Sequence, residues 1–322
     1  MKLDALSRHP LAHLPTPVEE LPRLSKELGV TILIKRDDQT GLALGGNKTR
    51  KLEFLLADAL SGNSDTLLTT GAPQSNHCRQ TAAAAARAGM RCVLVLSGEA
   101  RPRDSGNLLL DGLLGAEVVW AGGESRESAL RQAFETELAS HHRPYLIPYG
   151  GSNPLGASAY VEAMREFLGQ GVPTDRIVVA SSSGGTQAGL VLGARAFGFR
   201  GLIHGVSVDP TQAVLAAQVA NLANETARFL ELAITVAPSE VIADDRFIGE
   251  GYGVLGAPER EAIRLFAGTE GILLDPVYTG RAAAGLLHMV RGGEMKPGER
   301  VLFWHTGGIP ALWAYGSQLA VP

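Results

Sequence analysis

Two lysines that follow a pair of glycines give residues 45–53 the clearest chemical signal in the chain. The segment reads Gly-Gly-Asn-Lys-Thr-Arg-Lys-Leu-Glu, with the lysines at positions 48 and 51. Apolar residues at helical spacing come next, and Asn47 is of a type that often caps a helix N-terminus. Lys48 and Lys51 then share one face of the first helical turn.

Two ammonium groups at the positive end of a helix repel each other unless an anion lies between them. A lysine beside a second cation also loses its proton more easily, which favours a lysine that forms a Schiff base. Lys48 and Lys51 therefore predict a site for an anionic carbonyl compound, and pyridoxal phosphate has this chemistry. The alternative is a solvated, lysine-rich surface. A nucleotide-binding phosphate loop is excluded, because Asn47 adds one residue between its second glycine and the lysine.

The overall composition restricts the class of protein. The chain has 322 residues, 45% of them hydrophobic and 19% charged, which is typical of a globular protein of about two domains. A formal charge of −4 argues against nucleic acid or an anionic membrane as a partner. We find no signal-like region after Met1 and no apolar run of membrane-spanning length, so the expected location is the cytoplasm.

The two cysteines, Cys78 and Cys92, are too few for a disulfide framework or a zinc site. We expect them to be reduced thiols, and we expect no metal site. The sequence motifs of zinc proteases, serine esterases and dithiol redox proteins do not occur in the chain.

Short apolar runs alternate with helical patterns along the chain, which predicts an α/β protein with mostly parallel sheets covered by helices. We expect two domains, each with a twisted sheet, and a ligand cleft between them. The small domain is predicted at residues 48–157 and the large domain at residues 1–47 plus 158–322. A helix is predicted over residues 76–88, closed by Gly89. Strands are predicted at residues 31–35, 66–70, 92–96, 118–120, 145–148, 177–180, 202–208 and 301–305.

Two strand-to-helix loops carry further candidate ligands. Ser75 and Asn76 follow the strand at 66–70, at the carboxyl end where parallel sheets bind ligands, although both types are also ordinary helix caps. The loop Ser-Gly-Gly-Thr at positions 183–186 enters another helix, so its amide groups suit a phosphate. A tight turn alone also explains that loop.

Hydroxyl groups cluster in the C-terminal third. Tyr278 and Thr279 belong to Leu-Asp-Pro-Val-Tyr-Thr-Gly at 274–280, and Thr306 follows the last predicted strand. Tyr252 lies in a glycine-flanked loop. Each tyrosine taken alone is more often a packed aromatic residue than an acid or a base.

Taken together, these segments resemble the pyridoxal-phosphate enzymes of the tryptophan-synthase-β fold group. More narrowly they resemble the family of D-cysteine desulfhydrases and 1-aminocyclopropane-1-carboxylate deaminases. The matching segments occur in the same order over nearly the whole chain, at residues 34–38, 45–53, 74–77, 150–153, 183–186, 274–280 and 305–308.

The resemblance implies pyridoxal phosphate in the cleft, a Schiff base on Lys48 and a homodimer. It places Lys51 near the phosphate, Asn76 at the phenolic oxygen of the cofactor and Ser75 at the substrate carboxylate. The implied phosphate loop is Ser183, Gly184, Gly185 and Thr186. The implied tyrosines of the active site are Tyr252 and Tyr278, and the residues implied at the pyridine nitrogen and the substrate are Thr279 and Thr306.

Two of these positions separate the subfamilies. The ring-opening deaminases have Glu after the matching tyrosine and Leu at the position of Thr306, whereas this chain has threonine at both. A carboxylate favours a protonated pyridine nitrogen and a neutral hydroxyl does not. The resemblance therefore implies β-elimination of thiolate from D-cysteine, with Lys48 or Tyr278 removing the α-proton and Tyr252 or Tyr278 protonating the sulfur. L-cysteate sulfo-lyase, deaminase and a non-catalytic pyridoxal-phosphate-binding protein remain alternatives.

Overall fold

In the computed structural model, which we describe for residues 2–320, ten strands form two separate sheets. The strands are β1 (Val18–Glu20), β2 (Thr31–Arg36), β3 (Thr66–Gly71), β4 (Arg91–Leu96), β5 (Glu117–Trp120), β6 (Pro144–Leu146), β7 (Arg176–Ser181), β8 (Leu202–Ser207), β9 (Ile242–Asp244) and β10 (Arg300–His305). The larger sheet has the order β1-β2-β10-β7-β8-β9, and the smaller sheet has the order β5-β4-β3-β6. All neighbouring strands are parallel except β1 and β2. This is the predicted α/β class with two mostly parallel sheets.

Helices cover both faces of each sheet. They are α1 (Pro22–Leu28), α2 (Asn47–Ser61), α3 (Asn76–Ala88), α4 (Gly106–Leu113), α5 (Arg126–Ala139), α6 (Pro154–Gly169), α7 (Gly185–Phe197), α8 (Gln212–Phe229), α9 (Ala257–Glu270), α10 (Thr279–Arg291), α11 (Ala311–Ala314) and α12 (Gly316–Leu319). Within residues 2–320, none of these helices is long and apolar enough to span a membrane.

The alternation of side chains along the strands divides the core into layers. On β7, Ile177 and Val179 pack with α6, α7 and α8, whereas Val178 and Ala180 pack with α1, α9 and α10 on the opposite face. The smaller sheet has α2, α3 and α4 on one face and α5 on the other. Strands buried on both faces have near-continuous apolar runs, which is why the sequence revealed them.

All eight predicted strands are present, with ends shifted by one or two residues, and the helix at 76–88 with its Gly89 cap is confirmed. The sequence pattern missed β1 and β9. Each is a three-residue edge strand that carries charged residues, so neither produces an apolar run. The smaller sheet uses strands between residues 66 and 146. The domain limits at 47/48 and 157/158 stay a prediction.

A buried ion network fixes α2 on the larger sheet. Arg50 donates to Asp37 Oδ1 at 2.8 Å and to Glu166 Oε2 on α6 at 2.8 Å. The other Asp37 oxygen accepts from Tyr160 at 2.6 Å and from Trp304 at 2.8 Å. Arg50 holds the pKa values of both carboxyl groups below their usual range, even though burial opposes this. The network therefore anchors the helix on which Lys48 lies.

We expect Arg50→Met to destabilise the protein by about 3–5 kcal/mol, because Asp37 would be left buried and charged without its counter-ion. Urea unfolding followed by circular dichroism measures this change. Arg165→Met, which breaks a solvent-exposed pair with Asp4, is the control and should leave the midpoint unchanged. Equal effects of the two substitutions would contradict this interpretation of the network.

Candidate active site

A cleft at the carboxyl ends of β3, β7 and β10 brings together residues from separate parts of the chain. Eight of the predicted site residues line it: Lys48, Ser75, Asn76, Ser183, Gly184, Thr186, Tyr278 and Thr306. The other four lie next to this lining, each adjacent to a lining residue in the chain or hydrogen-bonded to one: Lys51, Gly185, Tyr252 and Thr279. The chain thus assembles the whole predicted set in one region.

The backbone before Lys48 packs directly on the loop that follows β10. Asn47 N donates to Thr306 O at 2.9 Å, and a Cβ atom on Gly307 would lie 2.6 Å from Gly46 Cα. Gly46 itself has a φ of +129°, which a residue with a side chain rarely adopts. The glycines therefore allow the close approach that places Lys48 beside Thr306.

The prediction that Asn47 caps α2 is wrong by one residue, because Gly46 is the N-cap and Asn47 is the first helical residue. The Asn47 side chain is used in the cleft instead. Its Nδ2 donates to Thr186 Oγ1 at 3.0 Å, and its Oδ1 accepts from Lys48 Nζ at 2.9 Å. Asn47 is thus a site residue that the sequence interpretation assigned only to capping.

Neither Lys48 nor Lys51 has a carboxylate within 4 Å among residues 2–320. Lys51 Nζ donates to Gly150 O at 2.9 Å and to Ser152 Oγ at 3.3 Å. Burial lowers the pKa of Lys48 to about 8, and burial together with the charge of Lys48 lowers the pKa of Lys51 well below its usual value. Two cations this close, with neutral partners only, fit a site whose ligand supplies negative charge.

The start of α7 forms a cradle of polar hydrogens next to Lys51. Gly184 has a φ of +75° and turns the chain so that α7 begins at Gly185, whose first amide groups have no partner within the helix. A Cβ atom on Gly185 would lie 2.8 Å from Lys51 Nζ. Ser183 Oγ lies 2.8 Å from Ser152 Oγ. Amide groups, hydroxyls and an ammonium in this arrangement fit a phosphate.

The same wall of the cleft contains a hydroxyl oxygen, Ser181 Oγ, that makes no hydrogen bond within residues 2–320. Ser181 is the last residue of β7, and its hydroxyl is buried. Thr186 accepts from Asn47, so its own hydroxyl hydrogen stays available. Unpartnered polar groups are rare in protein interiors, and here they fit a phosphorylated ligand in the cleft.

Ser75 is both the N-cap of α3 and part of the cleft wall. Its Oγ accepts from Cys78 N at 3.2 Å, which leaves the hydroxyl hydrogen free to donate to a carboxylate. His77 and Cys78 are buried, and His77 also lines the cleft. Burial and the nearby lysines hold the pKa of His77 well below its usual value, so its imidazole stays neutral.

The two predicted tyrosines form a pair. Tyr252 Oη and Tyr278 Oη lie 2.6 Å apart, and Tyr278 faces the cleft. Burial raises the pKa of both phenols above the usual range, so they stay protonated at neutral pH. Tyr315 on the C-terminal segment donates to Gly253 O at 2.6 Å and holds the loop that carries Tyr252. Each of the two hydroxyls therefore carries a proton at neutral pH, and the hydroxyl of Tyr278 lies at the cleft.

Asp275 is a residue that the sequence interpretation did not single out. Its Oδ1 accepts from Thr279 N at 2.7 Å and from Thr279 Oγ1 at 2.8 Å, while its Oδ2 accepts from the amides of Val277 and Tyr278 at 3.0 Å. Thr279 is fully buried and committed to this carboxylate, whereas Thr306 lines the cleft. An aspartate a few residues before a helix is a capping signal, and it also fixes Tyr278.

The chain is similar to known proteins over almost its whole length. The family described as pyridoxal-phosphate dependent enzyme matches residues 10–307. The chain is 45% identical over 331 aligned residues to D-cysteine desulfhydrase of Klebsiella pneumoniae subsp. pneumoniae, covering 99% of this chain and 100% of the relative. It is 44% identical to D-cysteine desulfhydrase of Klebsiella pneumoniae strain 342, with the same coverage.

Solved structures agree with this assignment. An ACC deaminase homologue superposes with a TM-score of 0.89 at 40% identity, covering 99% of this chain and 98% of the homologue. Threonine deaminase isoform 2 from Solanum lycopersicum superposes with a TM-score of 0.69 over 96% of this chain and 83% of its own, but at 18% identity it shares only the fold. The chain belongs to the family of pyridoxal-phosphate dependent enzymes.

Proposed function

We propose that this protein is a lyase that converts D-cysteine and water to pyruvate, hydrogen sulfide and ammonia. One observation carries the proposal: the amine of Lys48, with its lowered pKa, shares a cleft with the protonated pair Tyr252 and Tyr278. A base and an acid on one substrate are what β-elimination needs. Full-length identity of 45% to a D-cysteine desulfhydrase supports the substrate.

The residues that would hold the cofactor fit its groups. Lys48 would bind it through its amine, and Asn76 would donate to its phenolic oxygen. Thr306 in the cleft lining, and behind it Thr279 with its partner Asp275, would be the residues on the side of the pyridine nitrogen. The phosphate would be held by Lys51, Ser183, Gly184, Gly185 and Thr186. When bound, pyridoxal phosphate withdraws electrons from the α-carbon of an amino acid.

The chain's own residues would carry the proton transfers. Ser75 would donate its free hydroxyl hydrogen to the substrate carboxylate and orient the α-carbon. Lys48 would take the α-proton, since a pKa of about 8 leaves part of the amine neutral near pH 7. Tyr278, backed by Tyr252, would protonate the sulfur as the carbon–sulfur bond breaks. Burial raises the pKa of Tyr278, so the residue stays protonated and has no phenolate with which to take the α-proton in place of Lys48.

The threonines favour thiol elimination over ring opening. Thr279 is neutral, and its hydroxyl donates to Asp275. A neutral hydroxyl at this position would leave the pyridine nitrogen less protonated than a carboxylate at the same position would, and expulsion of a thiolate needs less electron withdrawal than ring opening.

We propose further that the protein works as a homodimer in the cytoplasm. The family resemblance supports the dimer. Cys78 and Cys92 are buried free thiols, which suits a reducing compartment.

The purified, cofactor-loaded protein should release sulfide and pyruvate from D-cysteine, and not from L-cysteine. Colorimetric assays for the two products measure this. L-cysteate and 1-aminocyclopropane-1-carboxylate, tested in parallel, should yield no keto acid. Keto acid from either of these compounds, with none from D-cysteine, would overturn the proposed substrate. A coloured protein inert to all four would indicate cofactor binding without catalysis.

Tyr278→Phe should lower sulfide release from D-cysteine by about a hundredfold, because general acid catalysis is worth about that much or more. β-Chloro-D-alanine is the matched substrate, since chloride leaves without a proton, and its turnover should change little. Tyr145→Phe is the control variant, because it removes a tyrosine hydroxyl on β6 that donates to Asp58 on α2 and does not line the cleft. An equal loss on both substrates would exclude Tyr278 as the acid for sulfur.

A further inference from the structure

Arg79 on α3 is a fully buried arginine without an acidic partner. It is 0% exposed, and no carboxylate among residues 2–320 lies within 4 Å of it. The two other fully or almost fully buried arginines differ, since Arg50 pairs with Asp37 and Arg281 Nε lies 2.9 Å from Glu259. At longer range the buried carboxyl groups of Asp111 on α4 and of Asp275 act on its charge. A buried cation with no carboxylate in contact costs stability, so its presence beside the cleft calls for a function.

The guanidinium joins three segments around the cleft. Its Nη2 donates to Gly45 O at 2.7 Å, in the glycine pair that precedes Lys48. Its Nη1 donates to Asn76 Oδ1 at 3.2 Å and to Asn107 Oδ1 on α4 at 2.8 Å. Arg79 therefore fixes the position of the Lys48 segment relative to the start of α3.

These bonds also decide which way the Asn76 carboxamide faces. Asn76 Oδ1 accepts from Arg79 and, at 2.9 Å, from Asn107 Nδ2, so both lone pairs of that oxygen are used. The amide nitrogen must then point away from them. The amide nitrogen lies beside Gly308, since a Cβ atom built on Gly308 would be 2.8 Å from Asn76 Nδ2. Asn76 is thus presented to the cleft as a donor, not as an acceptor.

Arg79 also acts on Lys48 through its charge. Its positive charge lowers the pKa of Lys48, in the same direction as burial, whereas Asp275 before α10 raises it. Of the other groups around Lys48, Lys51 on α2 has a pKa that burial and the charge of Lys48 hold well below its usual value, His77 on α3 is neutral, and Tyr278 stays protonated. If the charge of Arg79 is removed, the effect of Asp275 is less opposed and the pKa of Lys48 should rise.

We propose that Arg79 is a positioning residue, which holds the Asn76 amide donor toward the cofactor and keeps a second positive charge beside Lys48. The inference rests on the cofactor of the family and on the cleft geometry. It does not depend on D-cysteine being the substrate. Arg79 touches neither cofactor nor substrate in this account, and it acts through Asn76 and Lys48.

The test uses the full-length chain after removal of the cofactor. The fraction of Lys48 labelled by a small acylating reagent is measured against pH by peptide mass spectrometry, and pyridoxal phosphate affinity is measured by absorbance titration. Arg79→Met should move the labelling midpoint up by about one pH unit, because a cation near the amine is lost. It should also weaken cofactor binding about tenfold, because the Asn76 donor is no longer oriented.

Arg79→Lys separates the two effects. It keeps the charge but loses the planar fork, so the Lys48 midpoint should stay at the wild-type pH while cofactor affinity falls. Thr81→Val is the control, since Thr81 is a buried α3 residue whose hydroxyl has no partner among residues 2–320; both readouts should match the wild type. A folded Arg79→Met with wild-type midpoint and affinity would overturn the proposal.

If Arg79→Met does not fold, Asn107→Ala replaces it. This variant removes the second donor to Asn76 Oδ1 and one acceptor of Arg79 but keeps the charge. We expect weaker cofactor binding with an unchanged Lys48 midpoint. Wild-type affinity in both Asn107→Ala and Arg79→Lys would refute the positioning role. If the labelling midpoints and cofactor affinities are as expected but the protein does not turn over D-cysteine, only the proposed substrate is refuted.

Discussion

The site depends on an uncompensated positive charge where α2 begins. Lys48 and Lys51 share the first turn of α2, and neither meets a carboxylate within 4 Å among residues 2–320. Burial makes this arrangement costly, and both amines respond with lowered pKa values. The glycine turns, the start of α7 and the unpartnered Ser181 hydroxyl all surround this charge. An anionic aldehyde would compensate this charge, and we propose that it gives Lys48 its chemical role.

Stability and function use buried charges in opposite ways in this fold. Asp37, Arg50 and Glu166 neutralise one another and hold α2 in place on the larger sheet. Arg79 has no such partner, although it is equally buried. The anchored network gives α2 a rigid base, so that the positively charged N-terminal end of the helix keeps its position at the cleft. Removal of the Arg50 charge is therefore expected to lower the stability of the fold, whereas removal of the Arg79 charge is expected to change the pKa of Lys48 and the affinity for the cofactor.

Much of this was predictable because it depends on local patterns. Strands buried on both faces, the Gly89 cap and the order of the cleft segments are all readable along the chain. Edge strands β1 and β9 were not, because three residues that include one or two carboxylates are too short to show an apolar run or a periodicity. Asp275 and Arg79 were also missed, since their roles depend on partners far away in sequence or on side-chain direction. Asn47 was assigned wrongly for a similar reason. Asparagine is a common helix cap, but here its side chain lies in the cleft and donates to Thr186.

The most direct test of this account is to locate the covalent attachment of the cofactor. The pyridoxal-phosphate-loaded protein is reduced with borohydride, digested and analysed by peptide mass spectrometry. We predict a pyridoxyl group on Lys48 and an unmodified Lys51, since Lys51 is held by Gly150 and Ser152 behind the cleft wall. A pyridoxyl group on Lys51 or on any other lysine, with Lys48 unmodified, would contradict it.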